Sequence, residues 1–219
     1  DFCYQKNAGN LISIGSAFDY SGLGVSHFCY NDIALIKVLP RTQIVYPAMP
    51  NEFRILFNAT YSNEYLTYFR LPAQKHGVYI PDEKIQFGKA IVVNEGLDVT
   101  IVTTGPQLAT AMECVQELEK EGINAEVIYT PTVKPFDYDT IIKSVSKTSK
   151  CLVIEEHSQF GGVGDEVLRA ITGIINIKYD FISIPNEFVH GYGSYKDHCN
   201  ALGFTTDNLV NKIICIIKK

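Results

Sequence analysis

Apolar residues recur along this chain in two alternating rhythms. Short β-rich runs predict strands at 11–15 (LISIG), 43–47 (QIVYP) and 65–70 (YLTYFR), and runs of helical period predict helices near 31–38 and 51–61. The next stretch, 71–87, carries two prolines and mixed charge without a period, so it reads as a linker. A second alternating set follows, with strands at 89–96, 98–104, 124–130, 150–156 and 181–185 and helices near 107–121, 138–147 and 163–173. In the first of these helices Leu108, Ala111, Met112, Val115 and Leu118 share one face, and Gly122 ends it. A last helix opens on Thr205, Thr206 and Asp207 and gathers Leu209, Ile213, Ile216 and Ile217. This alternation predicts an α/β fold of two domains, 1–86 and 87–219, each a mostly parallel sheet flanked by helices.

Composition narrows the classes. With 219 residues, 46% of them apolar and 20% charged, the chain matches a soluble globular protein with room for one large or two small domains. A net charge of −5, with no basic cluster beyond Lys218 and Lys219, speaks against a nucleic-acid partner. No run approaches the roughly 18 apolar residues of a membrane span, so no membrane partner is expected. The six cysteines form no CxxC pair or zinc spacing and sit mostly in apolar runs, as buried cytosolic thiols do; a cytoplasmic location and no metal ligands are expected. The opening DFCYQKNAGN enters in mid-pattern without a methionine, which suggests a fragment, a processed product or a trimmed chain.

Candidate chemistry begins in FDYSGLGVSHFCYNDIALIKVLP, 18–40, where Gly22, Gly24 and then His27 lie between a predicted strand end and a helix start. In open α/β sheets that edge is where ligands bind. On the residues alone the glycines serve either close ligand approach or a tight turn, and His27 is either catalytic or a structural hydrogen-bonding group. Arg70 closes the strand YLTYFR, so its guanidinium is expected at the same edge, suited to a phosphate or carboxylate; a surface ion pair is the alternative. The stretch IEEHSQFGGVGDEV, 154–167, is neither a GxGxxG nor a Walker loop, and Asp165 and Glu166 would repel phosphate. Glu155 and Glu156 are adjacent on a strand, point to opposite faces and cannot readily share a metal, so a structural role is expected. No GxSxG or HExxH is present.

Taken in order, YSGLGVSHFCYNDIALIKVLP, QIVYPAMPNE, YFRLP, DVTIVTTGPQLATAMECVQELEKEGINAEVIYTPTVKPFD, CLVIEEHSQFGGVGDEV, IPNEFVHGYGS and ALGFTTDNLV resemble the C-terminal part of the transketolase family of thiamine-diphosphate enzymes. The resemblance spans nearly the whole chain and is greatest to the C-terminal subunits of split transketolases. It implies the back half of a pyrimidine-binding domain in 1–86 and the family's C-terminal domain in 87–219. The implied function is transfer of a two-carbon ketol unit from a ketose to an aldose, part of carbohydrate metabolism, with a sugar phosphate as substrate. Gly24, Val25, Ser26 and His27 match the family's G-x-T-H segment with Ser for Thr. That match implies a catalytic His27 that also meets the cofactor, with Ser26 and Gly24 beside the substrate, and Arg70 falls where the family places a substrate-binding arginine.

Several positions depart from the family pattern. Gly22 and Leu23 stand where longer transketolases carry an acidic pair, Gly15 lies near a further substrate histidine, Asn31 replaces a usual Glu and Met49 a usual Asp. These point to an unusual acceptor or a degenerate site. The glutamate that activates the cofactor lies upstream in this family, and the G-D-G motif for metal and diphosphate lies elsewhere; neither is in this sequence. Thiamine diphosphate with Mg is therefore expected to be bound mainly by residues outside the chain, in a homodimer or a heterotetramer with a diphosphate-binding subunit. The chain alone is expected to be inactive. Alternatives are deoxyxylulose-phosphate synthase, a 2-oxoacid dehydrogenase beta-type subunit, which shares much of ELEKEGINAEVI and VKPFD, and a non-catalytic assembly module.

Overall fold

The computed structural model describes residues 3–6 and 9–218. Its first half builds β1 (Gly9–Ile14), α1 (Asp32–Lys37), β2 (Thr42–Val45), α2 (Pro50–Thr60) and β3 (Leu66–Leu71). After the extended segment 72–90, with a single 3-10 turn at Asp82–Lys84, come β4 (Ile91–Asn94), β5 (Val99–Thr103), α3 (Leu108–Lys120), β6 (Ala125–Tyr129) and β7 (Thr132–Lys134). The chain ends with α4 (Tyr138–Thr148), β8 (Lys150–Ser158), α5 (Val163–Ile171), β9 (Lys178–Ile184), α6 (Tyr195–Leu202) and α7 (Thr206–Lys218). Every strand and helix expected from the alternation is present, with ends shifted by a few residues.

Two sheets form, in the orders β1-β3-β2-β7 and β4-β6-β5-β8-β9, and all pairings are parallel except β2 with β7 and β4 with β6. The second sheet is covered on both faces, which is why its strands read as unbroken apolar runs. Ile101 and Leu152 turn to one core with Leu108 and Leu118 of α3 and Leu209 and Ile213 of α7. Val102 and Val153, one residue on, turn to the other with Ile141 and Val145 of α4 and Val167 of α5.

Two elements escaped the pattern. β7 has three residues, too few to show a period, yet it leaves the second half of the chain to pair antiparallel with β2 of the first sheet. The Tyr46 N–H donates to the Pro131 carbonyl at 2.8 Å just before that pairing. α6 carries a weak apolar pattern but has a clear start signal: Ser194 and Asp197 form a capping box, and Gly203 closes the helix in the left-handed region.

A buried carboxyl joins α2, the connecting segment and β6. Glu52 accepts at Oε2 from the N–H groups of Ala48 (2.8 Å) and Met49 (3.2 Å) and from the Tyr129 hydroxyl (2.9 Å). Its Oε1 accepts from His76 Nε2 at 2.8 Å, and His76 Nδ1 accepts from the Val78 N–H at 3.0 Å, which fixes the tautomer. Replacing Glu52 with Ala strips four buried donors of their acceptor. The variant is expected to lose about 3 kcal/mol of unfolding free energy in urea titration. A loss under about 1 kcal/mol would show that these donors find other partners.

Candidate active-site edge

The segment from Gly15 to Tyr30 is a closed loop at the carboxyl end of β1. Ala17 and Cys29 bridge its base, with the Cys29 N–H donating to the Ala17 carbonyl at 2.8 Å. Aromatic rings seat it on the C-terminal elements: Phe18 lies 5.1 Å from Tyr195 and 6.0 Å from Phe204, and Phe28 lies 5.0 Å from His198. Between these anchors Val25–His27 form a 3-10 turn whose side chains are exposed. Gly24, which precedes the turn, has φ +77°, and a Cβ there would lie 2.7 Å from the Tyr192 ring. The positive φ calls for glycine at 24, whereas Gly22 faces open space.

His27 is thus presented on a turn that the fold holds from below. Its Nδ1 lies 3.0 Å from Ser26 Oγ, and Nε2 has no hydrogen-bond partner among the described residues. The ring can therefore face a ligand with its distal nitrogen while the neighbouring hydroxyl fixes its orientation.

Arg70 is placed differently from the expectation. The guanidinium does not emerge at the strand edge but is fully buried behind the loop, its plane over the Tyr46 ring at 4.6 Å. Its Nε donates to Asp32 Oδ2 (2.8 Å), one terminal nitrogen donates to the Glu156 carbonyl (3.0 Å) and the other to the Cys29 carbonyl (3.1 Å). The Tyr68 hydroxyl donates to the same Asp32 oxygen at 2.6 Å. Burial alone would raise the Asp32 pKa, but the Arg70 charge and the Tyr68 hydroxyl outweigh it and hold the carboxyl below its usual range. No sequence pattern marked Asp32 or Tyr46 as partners of Arg70, because these residues meet only in the folded chain.

The stretch 155–164 supports this arrangement from the second sheet. Glu155 accepts from the N–H groups of Val163 (2.6 Å) and Gly164 (2.8 Å) at the start of α5, and its carboxylate comes too close to Gly162 for any Cβ there. Glu156 points the other way, as the strand pleat requires, and accepts at Oε1 from Gln107 Nε2 (2.7 Å) and from the Tyr195 hydroxyl. Its Oε2, like Asp32 Oδ1 and Gln107 Oε1, has no partner among the described residues. Burial pushes both Glu155 and Glu156 up to about 7. His157 donates from Nδ1 to the Ser158 carbonyl (2.9 Å) and accepts at Nε2 from the Ala34 N–H of α1 (3.3 Å), and burial drives it down to about 4. The Ser158 N–H donates to the Tyr30 carbonyl at 2.7 Å. Residues 156–158 thus hold the loop end and α1 together.

The donor set tests which part of a thiamine diphosphate this chain could meet. Among the described residues no group of three or more His, Cys, Asp or Glu could hold a metal ion. Ser26 and His27 are exposed polar groups that a ligand can reach, whereas Gly24 lies buried under the Tyr192 ring and Gly22 faces open space. Among the described residues no helix is long and apolar enough to cross a membrane.

Residues 88–209 match the model of the transketolase C-terminal domain. The chain is 30% identical over 194 residues to one of the subunits of the apulose-4-phosphate transketolase of Phocaeicola vulgatus, a match covering 87% of this chain and 62% of that protein. It is 42% identical over 109 residues to the beta chain of the pyruvate dehydrogenase E1 component of Rickettsia bellii, covering 50% of this chain and 33% of that one. A solved split-gene transketolase, described as an inactive beta4 tetramer, superposes with a TM-score of 0.85 at 27% identity, covering 95% of this chain and 67% of that one. The chain thus spans about three fifths or less of the two curated relatives described here.

Glu156→Gln keeps the shape of the buried carboxyl and removes its titration. A carboxyl raised to about 7 in the folded state takes up its proton before the unfolded chain does, so folding gains stability as pH falls from 7 toward 4.5. His157, lowered to about 4, acts in the opposite sense between about 6.5 and 4 in both proteins, so it cancels in the comparison. Relative to the parent, the Gln variant is expected to gain about 2–3 kcal/mol more at pH 8 than at pH 5 in urea titrations. An equal difference at both pH values would show that Glu156 titrates as an ordinary carboxyl.

Proposed function

The chain belongs to the transketolase family, and we propose that it supplies the substrate-facing part of a two-carbon ketol-transfer site whose cofactor-anchoring part lies on another polypeptide segment or subunit. The observation that carries this reading is the exposed Ser26–His27 turn, its loop held by the buried Arg70 network. Within this reading 1–86 is the back half of a pyrimidine-binding domain and 87–219 the C-terminal domain.

Thiamine diphosphate, when bound, supplies the nucleophilic carbon that carries the two-carbon unit. The part of this chain is acid–base and positional. His27 Nε2 holds a proton at the carbonyl or hydroxyl oxygen of the sugar and returns it as charge on that oxygen changes, while Ser26 fixes the ring through Nδ1. Gly24 lets the turn lie close to Tyr192 and sets the height at which His27 meets the substrate. Arg70, enclosed by Asp32, Glu156 and Cys29, positions the loop; a substrate phosphate reaches it only if those bonds are given up.

The solved β4 tetramer is inactive, and the relative from Phocaeicola vulgatus is one part of a transketolase; both support a chain that works only with a partner. The higher identity to the pyruvate dehydrogenase beta chain over half the sequence favours, as a second reading, pyruvate as donor with release of carbon dioxide. The deciding experiment assays the chain, alone and with a diphosphate-binding transketolase subunit, for ketol transfer between sugars and for carbon dioxide release from pyruvate. Transfer only in the mixture supports the proposal, carbon dioxide release favours the second reading, and silence in both assays favours a non-catalytic assembly role.

In the active mixture, His27→Ala is expected to lower the rate by roughly 100-fold with an unchanged thermal midpoint. An unaltered rate removes His27 from the chemistry. Arg70→Ala is expected to lose about 3–5 kcal/mol of stability, because Asp32 is left buried without its counter-charge. A stable Arg70→Ala protein with a raised KM for phosphorylated sugars alone would instead make Arg70 a direct substrate contact.

A further inference from the structure

The segment after β9 clasps the His27 loop on two sides. The Tyr192 ring covers Gly24 before the turn, and the Tyr30 hydroxyl after it donates to the Glu187 carbonyl at 3.2 Å. Between loop and segment lies an open cleft of about 460 Å³ lined by Tyr30, Asn31, Asn186, Glu187, Phe188 and His190. Its size falls within the ~300–1,000 Å³ of small-molecule sites.

Its chemistry is selective. Two amides, a phenol, an imidazole and a carboxylate provide both donors and acceptors, and the exposed Phe188 ring offers an apolar face. Its lining residues include a Glu and no Lys or Arg, so a phosphate finds no counter-charge there. Among the described residues neither the Asn31, Asn186 and His190 side chains nor the Glu187 carboxylate has a hydrogen-bond partner, so these groups are available to a ligand.

We infer that this cleft is a subsite for the uncharged, polyhydroxylated part of a sugar, with Asn31, Asn186 and His190 binding hydroxyls and Phe188 lying against the carbon face. The inference rests on the proposed sugar chemistry of the His27 edge and deepens it. The C-terminal segment then selects the substrate while His27 acts on it.

The test is ligand-observed saturation-transfer NMR on the full chain with D-ribose, and with inorganic phosphate binding followed separately as a second probe. The parent is expected to bind ribose and not phosphate. Phe188→Ala and Asn186→Ala, both at exposed positions, are expected to weaken ribose binding about 3–10-fold without shifting the thermal midpoint. His27→Ala is expected to leave most of that binding intact. No ribose signal in the parent, or a signal unchanged in both cleft variants, overturns the subsite; phosphate binding that these two variants abolish overturns the assignment to uncharged groups. The ketol-transfer assay fails independently of these binding results, so failure of the catalytic reading and failure of the subsite are told apart.

Discussion

A fully buried guanidinium is the constraint around which this molecule is arranged. Arg70 cannot shed its charge, and burying it without a partner would cost several kcal/mol. The fold meets that requirement from three directions at once: a carboxylate at the start of α1, a carbonyl at the end of β8 and a carbonyl in the Gly15–Tyr30 loop. Each acceptor belongs to a different part of the chain. Satisfying one cation therefore sets the spacing of the first sheet, the second sheet and the loop that carries His27.

The same constraint explains what the sequence could and could not disclose. Strands β5, β6 and β8 are buried on both faces, so their apolar runs announced themselves, and the stripe along α3 did likewise. Glu155 and Glu156 were legible as a pair divided by the pleat, and they do face opposite ways. The fate of Arg70 was not legible, since a strand-end arginine looks the same whether it meets solvent or a carboxylate 38 residues away. β7 was invisible because three residues have no period, and the clasp at 186–192 has neither strand nor helix rhythm. Local signals carry elements; contacts between elements carry the site.

The division of labour within the loop is equally physical. Phe18 and Phe28 are sunk into aromatic neighbours from α6 and the residues around it, while Val25, Ser26 and His27 between them stand out. Immobilising both ends of a short segment limits the entropy that its tip loses when a ligand arrives. The order of the turn comes from apolar packing beneath it, and its polar groups stand exposed on top.

The crossing of β7 carries one more implication. Residues 132–134 are stitched into the sheet built by the first half, so the backbone passes between the two sheets three times, through 72–90, into β7 and out again toward β8. Three crossings, with Arg70 of β3 bonded to the Glu156 carbonyl of β8, tie the two halves more closely than a single linker would. The two halves therefore present the Gly15–Tyr30 loop as parts of one packed unit, not as two bodies joined by a single linker.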